Sequence, residues 1–126
     1  MRAVDTNVLV RLLTRDDEKQ AASADAFIEG GAWVSHLVLL EAGSVLTSVY
    51  DVTSKQLAAA IEMLLQHESL VIQDAEVVSA ALGLFKEQPS LGFSDCLVLE
   101  VARKAGHLPL GTFDKHLGKV DGGHRL

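Results

Sequence analysis

The sequence predicts an α/β protein in which helices cover both faces of a mostly parallel sheet. Short apolar runs alternate along the chain with longer stretches whose apolar residues recur at helical spacing. Strands that alternate with helices form right-handed βαβ units, which place the strands parallel and the helices on the two faces. The 126 residues suit a single domain spanning 1–126, and 48% hydrophobic against 22% charged residues favours a folded core over a disordered chain.

The first part of the chain predicts three strands separated by helices. The first strand is "RAV", and a helix follows at "TNVLVRLL". A second helix covers "DDEKQAASADAFIEG" and stops at Gly30 and Gly31, because glycine readily ends helices. The second strand is "AWVS", followed by a helix at "HLVLLEAGSVLTSVY". The next helix, "TSKQLAAAIEMLLQH", opens with the capping-box pair Thr53 and Gln56, and "SLVIQ" is the third strand.

The remaining chain predicts two further long helices and a fourth strand. One helix is "AEVVSAALGLFKEQ", which ends near Pro89. The other is "SDCLVLEVARKAG", with Ser94 as its N-cap and Gly106 as its stop. The fourth strand is "LPLGTF", followed by a short helix at "DKHLGK" and a further strand near "HRL".

Four acidic residues lie in apolar surroundings, whereas most of the 17 acids lie in polar stretches. Asp5 and Asp114 each follow a predicted strand, Asp95 stands at a predicted helix start, and Glu41 lies about two turns into the helix after strand two. Ligands of parallel α/β folds bind at the carboxyl ends of the strands. If these four residues meet at that edge of the sheet, they share one pocket.

Each of these acids also has a structural interpretation. Asp5 can cap the following helix, Asp95 can favour the positive end of its helix, and Asp114 can belong to a surface turn. Glu41 is harder to explain, because a carboxylate inside an apolar helix gains nothing from the helix ends. Glu100 lies five positions after Asp95, about 140° around the helix, and is interpreted as a partly solvated residue outside the cluster.

A cluster of carboxylates without basic partners predicts a bound cation. The acids repel one another, and at least one pKa rises unless a cation neutralises them. Oxygen ligands suit the hard cations Mg²⁺ and Mn²⁺, which activate water for displacement at phosphorus. The net charge of −6 opposes long-range attraction of nucleic acid, but a bound cation makes an acidic pocket attractive to phosphate. The pattern therefore favours a metal-dependent phosphodiesterase.

Four segments of the chain resemble, in order and at family spacing, the successive motifs of PIN-domain ribonucleases: "VDTNVLVRLL", "SHLVLLEAGSVL", "GFSDCLVLEVA" and "LGTFDKHLGK". The resemblance covers nearly the whole chain and is greatest to the VapC-type toxins of bacterial toxin–antitoxin pairs. Two positions depart from the common pattern, with Gly92 where an acid is common and Cys96 where alanine is common. Neither change removes an acid of the cluster.

This resemblance implies a three-layer α/β/α sandwich with a central, mostly parallel sheet. It implies an Mg²⁺-dependent endoribonuclease, with Mn²⁺ as a substitute, that acts on RNA as a toxin, forms a homodimer and is inhibited by a cognate antitoxin. Asp5, Glu41, Asp95 and Asp114 match the acids that bind the metal and carry catalysis. The polar residues expected near the metal are Asn7 and Thr112.

Basic and aromatic residues near these motifs are further candidates. Four residues could hold RNA phosphates or could equally be ordinary surface charges: Arg11, Arg15, Lys115 and Lys119. Trp33 and Phe113 could stack on bases, although core packing is the favoured interpretation for both. The five histidines show no metal-binding spacing, and Cys96 is interpreted as a small buried side chain.

Two other functions compete with the nuclease. A receiver-like phosphoacceptor signalling domain would use Asp74 after strand three, but it would leave Glu41 without a role. A PIN-like binding protein would keep the acids without nuclease activity. A cytoplasmic location without membrane contact is expected, because there is one cysteine, no signal-peptide pattern and no apolar run approaching ~18 residues.

Overall fold

The computed structural model describes residues 1–126 and confirms the α/β class, with six helices and parallel strands. The chain divides into two compact units, Met1–Ala75 and Glu76–Leu126. None of the helices has both the length and the apolar character needed to span a bilayer.

The first unit is built on a three-stranded parallel sheet. Its strands are β1 (Arg2–Ala3), β2 (Ala32–Val34) and β3 (Leu70–Ile72), hydrogen-bonded in that order. Its helices are α1 (Thr6–Thr14), α2 (Glu18–Ile28), α3 (His36–Ser48) and α4 (Ser54–Gln66). In the middle strand β2, Ala32 and Val34 are buried while Trp33 faces the other way, as the alternation of side chains along a strand requires.

Side-chain caps explain where the helices of the first unit begin. Asp5, Asp17, Ser35 and Thr53 each accept a backbone hydrogen bond as the N-cap of α1, α2, α3 and α4 in turn. The predicted capping box is confirmed, because Gln56 also reaches back to the backbone N–H of Thr53 at 2.9 Å. α1 packs on both α2 and α3, so the residue that begins α1 is held beside α3.

The second unit contains two long helices and a small sheet. The elements are α5 (Ala75–Glu87), a 3₁₀ turn (Pro89–Leu91), α6 (Phe93–Ala105), β4 (Leu110–Thr112), a second 3₁₀ turn (Leu117–Lys119) and β5 (Gly123–Arg125). β4 and β5 pair in parallel, which confirms the predicted late strand. The rings of Phe85 and Phe93 meet edge to face in this unit, with centroids 5.9 Å apart.

The predicted N-cap of α6 is wrong. The cap is Gly92, which has φ 79° and ψ 146°, and Ser94 lies inside the first turn of the helix. Gly92 connects the preceding 3₁₀ turn to α6. Glycine adopts a positive φ at little cost, whereas other residues disfavour it. The predicted stop at Gly106 is confirmed.

The turn Leu117–Lys119 packs against β5 through backbone that only glycine permits. A Cβ atom on Gly123 would lie 2.2 Å from the carbonyl oxygen of Leu117, and one on Gly118 would lie 2.6 Å from Cβ of Arg125. Leu117 itself is buried. The segment between β4 and this turn, which carries Asp114, is therefore held close to the sheet at its far end.

Candidate functional site

Asp5 lies just beyond β1, and its two carboxylate oxygens have different surroundings. The side chain is exposed, and Oδ1 accepts a hydrogen bond from the backbone N–H of Val8 at 3.0 Å. The capping interpretation of Asp5 is therefore confirmed. Oδ2 accepts no hydrogen bond from the protein, so it is open to a ligand.

Glu41 lies on α3 beside the start of α1. Its Oε2 accepts a hydrogen bond from the hydroxyl of Thr6 at 2.9 Å, which joins residues 35 positions apart. Thr6 follows Asp5 directly, so the first unit brings Asp5 and Glu41 to the two sides of one threonine. Thr6 is a site residue that the sequence did not single out, and no feature of its neighbourhood in the chain signals its contact with Glu41. Asn7 is exposed in the first turn of α1.

Asp95 and Asp114 form a second acidic pair, in the second unit. Asp95 stands in the first turn of α6 and is partly buried. Burial raises the pKa of Asp95, and the negative charge of Asp114 raises it further. The charge of Asp114 therefore lies close enough to Asp95 to disfavour its ionised form.

Asp114 is held in place by its neighbours in the chain. Its Oδ1 accepts a hydrogen bond from the backbone N–H of Leu117 at 2.8 Å. Its own backbone N–H donates to the hydroxyl of Thr112 at 3.0 Å. Thr112 therefore contacts the backbone of Asp114, so any role it has near a metal includes positioning that acid.

We expect Asp95→Asn to stabilise the metal-free protein at neutral pH, raising its melting temperature by about 2–4 °C. Between the ordinary pKa of an aspartate and the raised value, the folded protein binds more protons than the unfolded chain, so stability falls as pH rises through that interval. Asparagine does not ionise, so the Asp95→Asn variant does not lose stability in this way. Thermal unfolding in EDTA at neutral pH and at pH 3 would measure the gain, which should disappear at pH 3, where both states hold a neutral Asp95.

Asp121→Asn provides the control for this comparison. The Asp121 side chain is 98% exposed and also belongs to the second unit. Its replacement should leave the melting temperature unchanged at both pH values. Equal stability of wild type and Asp95→Asn at neutral pH would contradict a pKa of Asp95 raised by burial and by the charge of Asp114.

The two candidate arginines already bind carboxylates of the protein. Arg11 donates to Asp16 at 3.3 Å and to the hydroxyl of Tyr50 at 3.1 Å. Arg15 donates two hydrogen bonds to Asp25, at 3.1 and 2.6 Å. A phosphate bound by either arginine would have to compete with these contacts. Lys115 and Lys119 are exposed and take no part in the ion pairs of the structure.

The two aromatic candidates differ from the favoured prediction of core packing. That prediction is wrong for Phe113, which is 82% exposed, because the buried position of its segment is taken by Leu117. Trp33 is 37% exposed on the outward side of β2.

Cys96 and Glu100 behave as the sequence predicts. Cys96 is completely buried, and burial together with the charges of Asp95 and Glu100 raises the pKa of its thiol to about 11. Such a thiol is almost entirely protonated at neutral pH and is a poor nucleophile. Glu100 is partly exposed and pairs with Arg103 at 3.2 Å rather than with the acidic pair.

The donor atoms of both pairs suit a hard cation. They are carboxylate oxygens without a neighbouring arginine or lysine partner, which is the chemistry that Mg²⁺ and Mn²⁺ select. Within neither unit do three or more acidic, histidine or cysteine side chains form a group able to hold a metal ion. The first unit contains Asp5 and Glu41, and the second unit contains Asp95 and Asp114.

Comparison with known proteins identifies one family. The model of the PIN domain matches residues 2–123, a span that includes all four acids. No curated protein and no solved structure matches the chain significantly.

Proposed function

Since the chain belongs to the PIN domain family, we propose that it is an Mg²⁺-dependent endoribonuclease, the toxin of a toxin–antitoxin pair. The observation that carries this proposal is the match of the PIN domain to residues 2–123, and in the structure Asp95 is partly buried beside the negative charge of Asp114. Placing two like charges together destabilises a protein unless something binds there, and perturbed carboxylates are concentrated at functional sites. A divalent cation is the ligand that relieves this repulsion.

We propose that Asp5, Glu41, Asp95 and Asp114 hold the cation and carry catalysis. The grouping of all four rests on the order of the family motifs in the sequence. When bound, the cation supplies a Lewis acid for the phosphate and lowers the pKa of water. Mn²⁺ is expected to substitute for Mg²⁺, because both prefer oxygen ligands.

The protein's own contribution is to orient these acids. Val8 fixes one oxygen of Asp5, and Thr6 fixes one oxygen of Glu41. The remaining oxygens, Oδ2 of Asp5 and Oε1 of Glu41, accept no hydrogen bond from the protein. These oxygens are therefore the atoms that would face a cation and accept a proton from water bound beside it.

Further parts of the proposal concern partners. RNA would be held near the acids by Lys115 and Lys119, which take no part in the ion pairs of the structure. Arg11 and Arg15 would contribute only if phosphate displaces the carboxylates that they bind. A homodimer, a cognate antitoxin and a cytoplasmic location complete the proposal and rest on the resemblance to VapC-type toxins.

The family match favours the nuclease over the receiver-like alternative. In the receiver scheme Asp74 would accept phosphate, and this residue lies exposed in the turn between β3 and α5 at φ 42°. Glu41 would have no role in phosphorylation at Asp74. A PIN-like binding protein without nuclease activity is an outcome of the experiment below.

Incubation of the full chain with total RNA and with end-labelled single strands tests the proposal. We expect cleavage in Mg²⁺ and in Mn²⁺, and complete loss of cleavage in EDTA, with calorimetric titration showing binding of either cation to the protein alone. Cleavage that persists in EDTA would contradict a metal-dependent mechanism. Cation binding without cleavage of any RNA would favour the binding protein.

A further inference from the structure

Phe113 is the most exposed large hydrophobic side chain of the protein, at 82%. An exposed phenylalanine offers an apolar aromatic face on which a nucleic-acid base can stack. Phe113 directly precedes Asp114, one of the four candidate site acids. Its exposure is therefore located at the candidate site.

The backbone around Phe113 is fixed on both sides. The carbonyl oxygen of Thr112 accepts a hydrogen bond from the N–H of Leu126 at 2.9 Å, and the hydroxyl of Thr112 accepts one from the N–H of Asp114 at 3.0 Å. On the other side, Asp114 binds the N–H of Leu117. The ring is thus presented from an ordered segment and not from a loose loop, which lowers the entropy lost on binding.

Lys115 supplies a positive charge close to Phe113 in the chain. Ion pairs of the second unit join Arg103 to Glu100 and Asp121, and Lys104 to Glu76. Lys115 is exposed, two residues after Phe113, and belongs to none of them. The ring of Phe113 is next to an acid suited to a cation and two positions from an unpaired lysine. Together they supply the groups that single-stranded nucleic acid binds, a stacking surface and a counter-charge for phosphate.

We propose that Phe113 stacks on an unpaired base of the RNA substrate, and that Lys115 binds a phosphate next to that base. This inference rests on the proposed function and specifies its substrate. A base can stack on a side chain only when it is free of its own helix, so the RNA is single-stranded at the position next to Phe113. Sequence preference should be weak, since every base has a face on which an aromatic ring can stack.

Fluorescence anisotropy with labelled single strands tests the stacking. The probes are oligouridine and oligoadenosine of 12 nucleotides and a 12-base-pair RNA duplex, in Ca²⁺ buffer, with a gel to show that the RNA stays intact. Phe113→Ala and Phe113→Leu should each weaken single-strand binding about 10-fold, whereas Phe113→Tyr should bind within about 2-fold of wild type. Binding of the duplex should not depend on residue 113.

The leucine variant separates stacking from general apolar contact, because it keeps an apolar side chain without a ring. Leu37→Ala is the matched control, since Leu37 is 75% exposed in the first unit and should not affect RNA binding. Lys115→Ala should lower the slope of log affinity against log salt by about 0.7 for single strands, and Lys55→Ala, an exposed lysine of α4, should not.

The results distinguish this inference from the proposed nuclease. Equal single-strand affinity of wild type and Phe113→Ala, equal binding by the leucine and tyrosine variants, or no binding of single strands by wild type would each overturn the stacking. A protein that binds single strands through Phe113 but cleaves none of them would support the inference and contradict the nuclease.

Discussion

Asp5→Asn is expected to reduce metal-dependent RNA cleavage on the order of 10²–10³-fold, the range in which loss of one electrostatic contact at a reaction centre falls. Asparagine removes the charge of the oxygen that faces no hydrogen-bond donor. It keeps the oxygen that binds the N–H of Val8, and asparagine caps helices as well as aspartate does. Cleavage should therefore fall without a change in the melting temperature, measured by following labelled RNA and thermal unfolding on the same preparation.

Asp17→Asn is a closely matched control for this prediction. Asp17 is the N-cap of α2, and its Oδ1 accepts from the N–H of Gln20 at 3.0 Å, the same length as the bond of Asp5. Both variants lose one negative charge from an exposed helix cap of the same unit. If the two variants cleave RNA equally well, Asp5 acts only as a cap and the assignment of the acid is wrong.

Gly123→Ala is expected to destabilise the protein by about 2–3 kcal/mol, an overpacking effect at the upper end of the usual range. The added Cβ would lie 2.2 Å from the carbonyl oxygen of Leu117. Neither residue can move away easily, because Gly123 is paired with Leu110 in the sheet and Leu117 is buried. Urea unfolding would measure the loss of stability.

The same substitution should also reduce cleavage in the molecules that remain folded. The turn that begins at Leu117 would have to move away from β5, and the N–H of Leu117 is the group that fixes the carboxylate of Asp114. Gly83→Ala is the control in which the added methyl group has room. Gly83 lies inside α5, and its added Cβ would meet no other part of the protein within 4 Å. It should stabilise the protein by up to about 1 kcal/mol and leave cleavage intact.

Periodicity and turn chemistry were sufficient to predict most of the secondary structure. All six helices and the five strands overlap the stretches that the sequence indicated, and α1, α6 and β5 each extend one residue beyond them. The cap of α6 could not be predicted, because the left-handed conformation of Gly92 is imposed by the 3₁₀ turn before it. Ser94 has the right side chain for a cap but the wrong position in the fold.

The candidate site was harder to predict from the sequence than the fold. The acids could be identified because each interrupts an apolar run of the sequence, but the contact of Glu41 with Thr6 spans 35 positions and has no local signal. The exposure of Phe113 was mispredicted, since a phenylalanine beside a strand usually packs in the core. The ion pairs of Arg11 and Arg15 depend on side-chain geometry that residue types alone do not determine.

The hydrogen bonds that hold one oxygen each of Asp5, Glu41 and Asp114 have a consequence for ligand exchange. A free carboxylate side chain loses rotamer entropy when it is captured by a ligand, but these three lose it when the protein folds. A bound cation would therefore contact side chains that are already immobilised, and these side chains would stay immobilised after the cation dissociates. Exchange of the cation would then leave the side-chain order around it intact, so its kinetics would be governed by water entering and leaving rather than by rearrangement of the protein.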